Sequence, residues 1–146
     1  DALPICQARR WGQHHGIDEI HLQGQGNLGT RLKRQLLRQR HRRSSVLVVG
    51  SDLPDFNRRD LLMALESLHS HDLVLGPAAD GGYWLIALSS SLMQTPQRWP
   101  LAGIPWGSAE VCDRTLESAE RNGISVDFLP QRQDLDHLRD LNRWQG

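Results

Sequence analysis

The sequence predicts an α/β protein, a three-layer sandwich in which helices cover both faces of a mostly parallel sheet. Strand-like apolar segments alternate with helical patterns along the chain, which is typical of sheets built from strand–helix–strand units. The apolar run Val46–Val49 is rich in β-branched side chains, as expected for a strand buried on both faces. The chain of 146 residues is long enough for one domain with its own core, so residues 1–146 are taken as a single unit.

The first half of the chain is predicted to form two strands and two helices. Residues 18–23 alternate weakly between polar and apolar side chains, which predicts a strand. In residues 28–36 a leucine recurs at every fourth position, which predicts a helix with one apolar stripe. The Val46–Val49 strand follows, and residues 61–68 form a second amphipathic helix. Arginines surround the first leucine stripe without interleaved aromatic side chains, so we interpret them as a solvated face rather than a nucleic-acid surface.

The second half is predicted to contain three more strands and two helices, namely strands 72–76, 83–88 and 124–129 and helices 108–121 and 136–144. Ser108 is a favourable N-cap for the first of these helices, and Asn122-Gly123 is typical of a helix end. Residues 89–102 are polar and contain proline, which predicts a surface loop.

Composition and charge argue against several classes of protein. Acidic and basic residues balance at 17 each, so net charge offers no general attraction to nucleic acid or to a membrane surface. No apolar stretch approaches the roughly 18 residues of a membrane span, and no signal peptide is visible. Cys6 and Cys112 are far apart and lack the spacing of metal ligands, which favours reduced thiols. These features predict a cytoplasmic protein.

An acidic residue follows the apolar strand at Val46–Val49. Gly50 frees the backbone and Pro54 prevents the strand from continuing, with Asp52 between them. Ligands of open α/β sheets bind beyond the carboxyl ends of the strands. Asp52 is therefore a candidate ligand for a hard divalent cation that neutralises a substrate diphosphate. The alternative is that Asp52 caps the helix that follows.

Two further segments carry groups that could bind a substrate. The glycines of Asp80-Gly81-Gly82-Tyr83 let a backbone approach a ligand, and the carboxylate can bind a hydroxyl, an amine or a metal. The alternative is a tight hairpin turn, for which Asp-Gly is a strong signal. Trp106 stands beside a predicted helix start, where an aromatic ring can stack on a ligand while free N–H groups bind phosphate. The alternative is a tryptophan of the core.

A late acidic pair, Asp134 and Asp136, follows the last predicted strand. Alternate residues of an extended segment face the same side, so both carboxylates could approach one cation. The alternative for Asp136 is a helix cap.

Taken together and in order, these segments resemble DUF2064, a bacterial family of GT-A-type transferases often described as arsenosugar-biosynthesis-type glycosyltransferases. The family's motifs GSDxP, LGPAxDGGYxLI, IPW with Ser or Thr, and a late DxD correspond here to residues 50–54, 75–86, 104–108 and 134–136. Residues 25–31 resemble the family's GDLGxRM stretch, with Asn27 in place of the usual aspartate. The resemblance covers residues 11–141.

The resemblance implies a nucleotide-diphospho-sugar transferase fold and a metal-dependent glycosyltransferase that joins a nucleotide-linked sugar to a small-molecule acceptor. Asp52 would be the catalytic, metal-binding aspartate, and Asp134 and Asp136 would complete a site for Mg²⁺ or Mn²⁺. The substrate-binding residues would be Ser51, Asp80, Gly81, Gly82, Tyr83 and Trp106.

Two alternatives remain open on the sequence alone. A nucleotidyltransferase of the guanylyltransferase type, acting on an NTP, would use the same fold and the same acids. The family's domain also begins with a strand and a basic, glycine-containing phosphate loop, and no such loop precedes Asp1. We then expect the chain to correspond to about the C-terminal two-thirds of the family's domain and to be N-terminally incomplete. The second alternative is therefore a non-catalytic remnant or interaction module. A shortened sheet would leave an edge that needs cover, which allows a homo-oligomer.

Overall fold

The computed structural model describes residues 5–14, 16–17, 19, 21–50 and 56–132 of the chain. The helices in these ranges are α1 (Ile5–His14), α2 (Leu28–Gln39), α3 (Arg58–Ser67), α4 (Ser90–Met93) and α5 (Val111–Arg121), and the strands are β1 (Val46–Val49), β2 (Leu73–Pro77), β3 (Tyr83–Leu88) and β4 (Val126–Phe128). The terminal helix predicted for residues 136–144 lies outside the described ranges. None of the helices within them is both long and apolar enough to cross a membrane.

The four strands form one mixed sheet in the order β1-β3-β2-β4. Strand β3 is antiparallel to both β1 and β2, and β2 is parallel to β4. The prediction of a mostly parallel sheet was therefore wrong, although β1, β2 and β4 share one direction. The reason is the tight turn at residues 78–82, which joins β2 to β3 and returns the chain antiparallel to itself.

Helices pack on both faces of this sheet, as the sequence predicted. On one face, side chains of α2, α4 and α5 form a core with β2 and β3; its members include Leu32, Leu36, Leu75, Ile86, Met93 and Ala119. On the other face, α3 contributes Ala64 and is packed with Val74, Trp84 and Ala87. Alternate residues of β1 and β2 contribute to opposite cores because successive side chains of a strand point to opposite faces. In β3 the neighbours Trp84 and Leu85 both belong to the second core, near the register shift at Gly76/Pro77.

Strand β1 lies at one edge of the described sheet. Its four residues are half-buried, and it pairs with β3 in antiparallel register. The expectation of a strand buried on both faces between parallel neighbours was therefore wrong. An edge strand has a hydrogen-bonded neighbour on one side only, so its side chains are covered less completely.

Helix α2 confirms the helix predicted from the leucine stripe. Its N-cap is Asn27, whose Oδ1 accepts a hydrogen bond from the Thr30 N–H at 2.9 Å. Leu32 and Leu36 are buried, while Leu28 in the first turn remains exposed. Asparagine thus caps this helix at the position where the resemblance implies an aspartate, and both residue types are strong N-caps.

The strand predicted for residues 18–23 is absent from the described part of that segment. Residues 21–27 are irregular, and Leu22 is exposed. The segment is held instead by α2, because the Arg34 guanidinium donates to the carbonyls of Gln23 and Gln25 at 2.5 and 3.0 Å. Arg34, one of the arginines predicted to form a solvated face, therefore binds part of the chain's own backbone, whereas Arg38, Arg42 and Arg43 are exposed as predicted.

Residues 89–102 are not the predicted surface loop. They contain α4 and a 3-10 turn at Pro96–Arg98, and their apolar side chains Leu92, Met93, Trp99 and Leu101 are buried. Ser89 caps α4 by accepting the Leu92 N–H at 3.1 Å, and the Trp99 indole donates to the Leu92 carbonyl at 2.8 Å. The segment is too short and too rich in polar residues for its apolar positions to show a periodicity.

Helix α5 begins at Val111, three residues after the predicted cap Ser108. The Ser108 hydroxyl accepts the Glu110 N–H at 3.2 Å, so it stabilises a turn that precedes the helix. The predicted end is confirmed, since Gly123 has a φ of +70° and the Ile124 N–H donates to Ala119 O at 2.9 Å.

Candidate substrate cleft and metal-binding edge

The carboxyl ends of β1, β2 and β4 meet the start of β3 along one side of the sheet. This edge runs across the strand ends and differs from the lateral edge formed by β1. Gly50 follows β1, and its N–H donates to the Trp84 carbonyl at 3.1 Å. Arg132 follows β4 and pairs with the end of β2: its N–H donates to Pro77 O at 3.0 Å, and its carbonyl accepts the Ala79 N–H at 2.8 Å. Chain segments that are distant in sequence therefore converge at this edge.

The predicted metal ligands belong to the two segments that leave this edge. Ser51, Asp52, Asp134 and Asp136 lie outside the described residues, so their mutual distances stay predictions. Within the described ranges, no group of three or more His, Cys, Asp or Glu side chains could hold a metal ion. A metal site that uses three of this chain's acidic, histidine or cysteine side chains would thus include residues beyond those ranges.

An ion pair between a buried carboxylate and a partly buried guanidinium connects the flanks of these two segments. Arg132 Nη2 lies 2.5 Å from Asp60 Oδ1, and Asp60 is 2% exposed. The same guanidinium lies over the Trp84 ring, with its Cζ 5.0 Å from the ring centroid. Asp60 also accepts the Asn57 N–H at 3.0 Å in a capping box, and Phe56 packs edge-on against Trp84. The chain just after residues 51–55 and just before residues 133–136 is therefore held together.

This pair was not among the contacts predicted from the sequence. The spacing of Asn57 and Asp60 is the signature of a capping box and could have identified the start of α3. Nothing local to Arg132 predicts its partner, since the two charged residues are separated by 72 positions.

The turn at Asp80-Gly81-Gly82 docks against the start of α5. Gly81 has a φ of +92°, and a Cβ at this position would lie 2.0 Å from the Ala109 carbonyl oxygen. Its own carbonyl accepts the Cys112 N–H at 2.8 Å, while the Gly82 N–H donates to Asp80 Oδ1 at 2.9 Å. The hairpin interpretation of this segment is confirmed, and the hairpin needs glycine because of its close approach to α5.

A cleft of about 300 Å³ lies between this turn, the start of α2 and the start of α5. Its described walls are formed by Leu28, Ala78, Asp80, Gly82, Tyr83, Trp106, Gly107, Ser108, Ala109 and Val111. Four of the residues predicted to bind substrate therefore line one cavity, although they come from two separate motifs. Gly81, a fifth, is not among the residues that line the cleft.

The Trp106 side chain is half-buried and closely packed. A Cβ on Gly29 would lie 2.6 Å from the Trp106 Nε1, so only glycine leaves room for the indole. The Tyr83 ring meets the indole edge-on, with centroids 6.3 Å apart and an interplanar angle of 85°. Trp106 is thus part of the packing and also part of the cleft wall, while its stacking on a ligand stays a prediction.

The comparisons with known proteins identify the family. The sequence profile of a family described as uncharacterized proteins conserved in bacteria (DUF2064) matches residues 5–108. The chain belongs to DUF2064. None of the curated proteins compared with this DUF2064 chain matches it.

One solved structure is similar to the DUF2064 chain. It is a protein of Desulfovibrio desulfuricans G20, provisionally named a nucleotide-diphospho-sugar transferase, with 30% sequence identity and a TM-score of 0.77. The match covers 94% of the DUF2064 chain and 59% of that protein. The chain therefore spans less than two-thirds of that structure and shares the fold of the part that it spans, which confirms the fold that the resemblance implied.

Tyr83 is the one tyrosine of the DUF2064 chain, and its hydroxyl is buried without a hydrogen-bond partner among the described residues. Burial raises the pKa of this phenol well above its ordinary value, and the nearby Thr115 opposes the shift only in part. The Thr115 hydroxyl itself donates to the Val111 carbonyl at 2.8 Å. The Tyr83 side chain is therefore neutral and acts as an apolar wall of the cleft at physiological pH.

Absorbance titration at alkaline pH tests this environment. Above a pH of about 10, the ordinary pKa of tyrosine, the unfolded chain releases the phenolic proton while the folded chain retains it. The free energy of unfolding is therefore expected to fall as pH rises above that value. Phenolate absorbance should appear together with the loss of circular dichroism. Phenolate formation near pH 10 in a fully folded protein would contradict the buried position.

Proposed function

We propose that this DUF2064 chain forms part of a divalent-metal-dependent glycosyltransferase that uses a nucleotide-linked sugar. The observation that carries the proposal is the convergence of Gly50 and Arg132 at one sheet edge, next to the cleft formed by Asp80, Tyr83 and Trp106. Ligands of open α/β sheets bind at such edges. The name of the Desulfovibrio desulfuricans protein supports a nucleotide-linked sugar as the donor.

The residue types of the proposed metal site suit a hard cation. Asp52, Asp134 and Asp136 offer carboxylate oxygens, the ligands that Mg²⁺ and Mn²⁺ prefer. Asp52 follows Gly50 by two residues and Asp134 follows Arg132 by two residues, so both are close in sequence to a described residue of this edge. A bound cation would neutralise the donor diphosphate and stabilise it as a leaving group.

The chain's own residues would position the reactants. An acceptor hydroxyl oxygen forms the new bond to the anomeric carbon as the bond from that carbon to the diphosphate oxygen breaks. The electron pair of the broken bond leaves with the diphosphate, and the hydroxyl proton passes to solvent. Burial raises the pKa of the Cys112 thiol, and Asp113 raises it further, so this cysteine is a poor nucleophile. We therefore propose catalysis by orientation and electrostatics, without a covalent enzyme intermediate.

Calorimetric titration with Mn²⁺, followed by UDP or GDP, tests the metal site. The double variant Asp134→Asn/Asp136→Asn is expected to bind Mn²⁺ at least about 100-fold more weakly than the parent chain, since even outer-shell changes reduce metal affinity by roughly 10- to 100-fold. Asp113→Asn is a suitable control, because Asp113 is an exposed acid on α5. Absence of Mn²⁺ binding by the parent chain would overturn the proposal.

Product analysis tests the reaction. Incubation with a set of nucleotide-diphospho-sugars is expected to release the nucleoside diphosphate in a Mn²⁺-dependent manner. Pyrophosphate release from NTPs would instead support a nucleotidyltransferase. Metal binding without release of either product would support the non-catalytic hypothesis.

A further inference from the structure

The charges of the residues that line the cleft limit which ligands it can bind. Among the described residues that line it, Asp80 alone carries a charge at neutral pH, and none is lysine, arginine or histidine. Asp80 is exposed, and one of its oxygens is engaged by the Gly82 N–H. A carboxylate has about four lone-pair sites, so this side chain can still accept hydrogen bonds from a ligand's hydroxyl groups.

The helix start beside the cleft is poorly suited to an anion. Helix N-termini bind phosphate through free N–H groups, but two of the N–H groups at the start of α5 already have acceptors. The Cys112 N–H donates to Gly81 O, and the Glu110 N–H donates to the Ser108 hydroxyl. Asp113 adds a negative charge in the first helical turn.

The size and the aromatic wall favour one ring. A cleft of about 300 Å³ is at the small end of ligand sites, so it suits one ring-sized group rather than a whole nucleotide-sugar. Gly29 and Tyr83 fix the position of the Trp106 indole, as described above. A sugar or aryl ring can pack its apolar face against such a ring while its hydroxyl groups reach Asp80.

We propose that the cleft is the acceptor subsite and binds a neutral, hydroxyl-bearing ring, with Trp106 as its packing surface and Asp80 as its hydroxyl acceptor. The subsite would disfavour acceptors that carry a phosphate, because Asp80 repels them. The role of the cleft as an acceptor site rests on the proposed function. Its preference for a neutral ring over a phosphate does not depend on the metal. It also opposes a nucleotidyltransferase, whose acceptor is a phosphate.

Two probes that share one aromatic group test the preference. Phenyl β-glucoside and phenyl phosphate are titrated against the chain in metal-free buffer, and binding is followed by calorimetry. The glucoside is expected to bind about tenfold or more tightly than the phosphate, a difference of about 1.4 kcal/mol. Asp80→Asn should reduce this ratio to near unity by improving phosphate binding. Trp106→Phe should weaken binding of the glucoside.

Glu117→Gln is the matched control, because Glu117 is an exposed acid of α5 that does not line the cleft. It is expected to leave the ratio unchanged, and circular dichroism establishes that each variant is folded. Tighter binding of phenyl phosphate, or no binding of either probe, would overturn the acceptor subsite. Selective glucoside binding without Mn²⁺ binding would preserve the subsite and defeat the proposed metal-dependent enzyme, so the two failures are distinguishable.

Discussion

Replacing Arg132 with alanine is expected to lower the free energy of unfolding by about 3 to 5 kcal/mol, the range for breaking one side of a buried ion pair. Asp60 is 2% exposed and would lose the guanidinium that lies 2.5 Å from its Oδ1. The contact of the guanidinium with the Trp84 ring would also be lost. Urea unfolding, followed by circular dichroism, measures the change as a shift in the midpoint.

The exposed ion pair on α5 provides the control for this prediction. Arg114 lies 3.2 Å from Glu117, and both side chains are more than half exposed. Arg114→Ala is expected to change the free energy of unfolding by less than about 1 kcal/mol.

A second variant isolates the buried charge. Asp60→Asn/Arg132→Ala removes the unpaired carboxylate while an amide oxygen can still accept the Asn57 N–H. It should therefore be more stable than Arg132→Ala alone. A double variant that is less stable than the single one would show that loss of charge pairing is not the main effect.

Gly81→Ala is expected to lower the free energy of unfolding by about 3 kcal/mol or more, since backbone strain alone amounts to about 1 to 3 kcal/mol. Two effects add here. The φ of +92° is unfavourable for alanine, and the new Cβ would lie 2.0 Å from the Ala109 carbonyl oxygen. Because Ala109 is backbone and cannot rotate away, the turn would have to move from α5. The cleft beside it should then lose its affinity for phenyl β-glucoside.

Gly103→Ala separates these two effects. Gly103 has a φ of +70°, but no atom lies within 4 Å of a Cβ built there. Its replacement should therefore show conformational strain alone, about 1 to 2 kcal/mol. Equal losses in the two variants would mean that the contact between Gly81 and Ala109 does not constrain the turn.

Signals that are local in sequence predicted the local structure well. The run Val46–Val49 forms a strand, the leucine stripe after Asn27 forms a helix, and Asn122-Gly123 ends α5. Each depends on the conformational preferences of a few neighbouring residues. The predictions for residues 21–23 and 89–102 were wrong for different reasons. At residues 21–23 a side chain from elsewhere holds the segment, since Arg34 binds the Gln23 carbonyl. In residues 89–102 the buried apolar positions show no periodicity that could have been recognised.

The order of the strands could not be predicted in this way. Strand β3 lies between β1 and β2, and no local pattern shows which strands become neighbours. The Asp80-Gly81 turn signal did indicate that β2 and β3 could be antiparallel, but the same residues also suited a ligand loop. The structure confirms the turn, and binding of a ligand by these residues stays a prediction.

The sequence by itself determined the family, most helices and strands, and the order of the motifs that carry acids, glycines and an aromatic ring. Only the tertiary structure decided that Asp80 and Trp106 share a cleft and that Arg132 pairs with Asp60. These partners are far apart in the chain, and their contacts result from the order of the strands in the sheet. Backbone preferences act over a few residues, whereas such pairings depend on the packing of the entire domain.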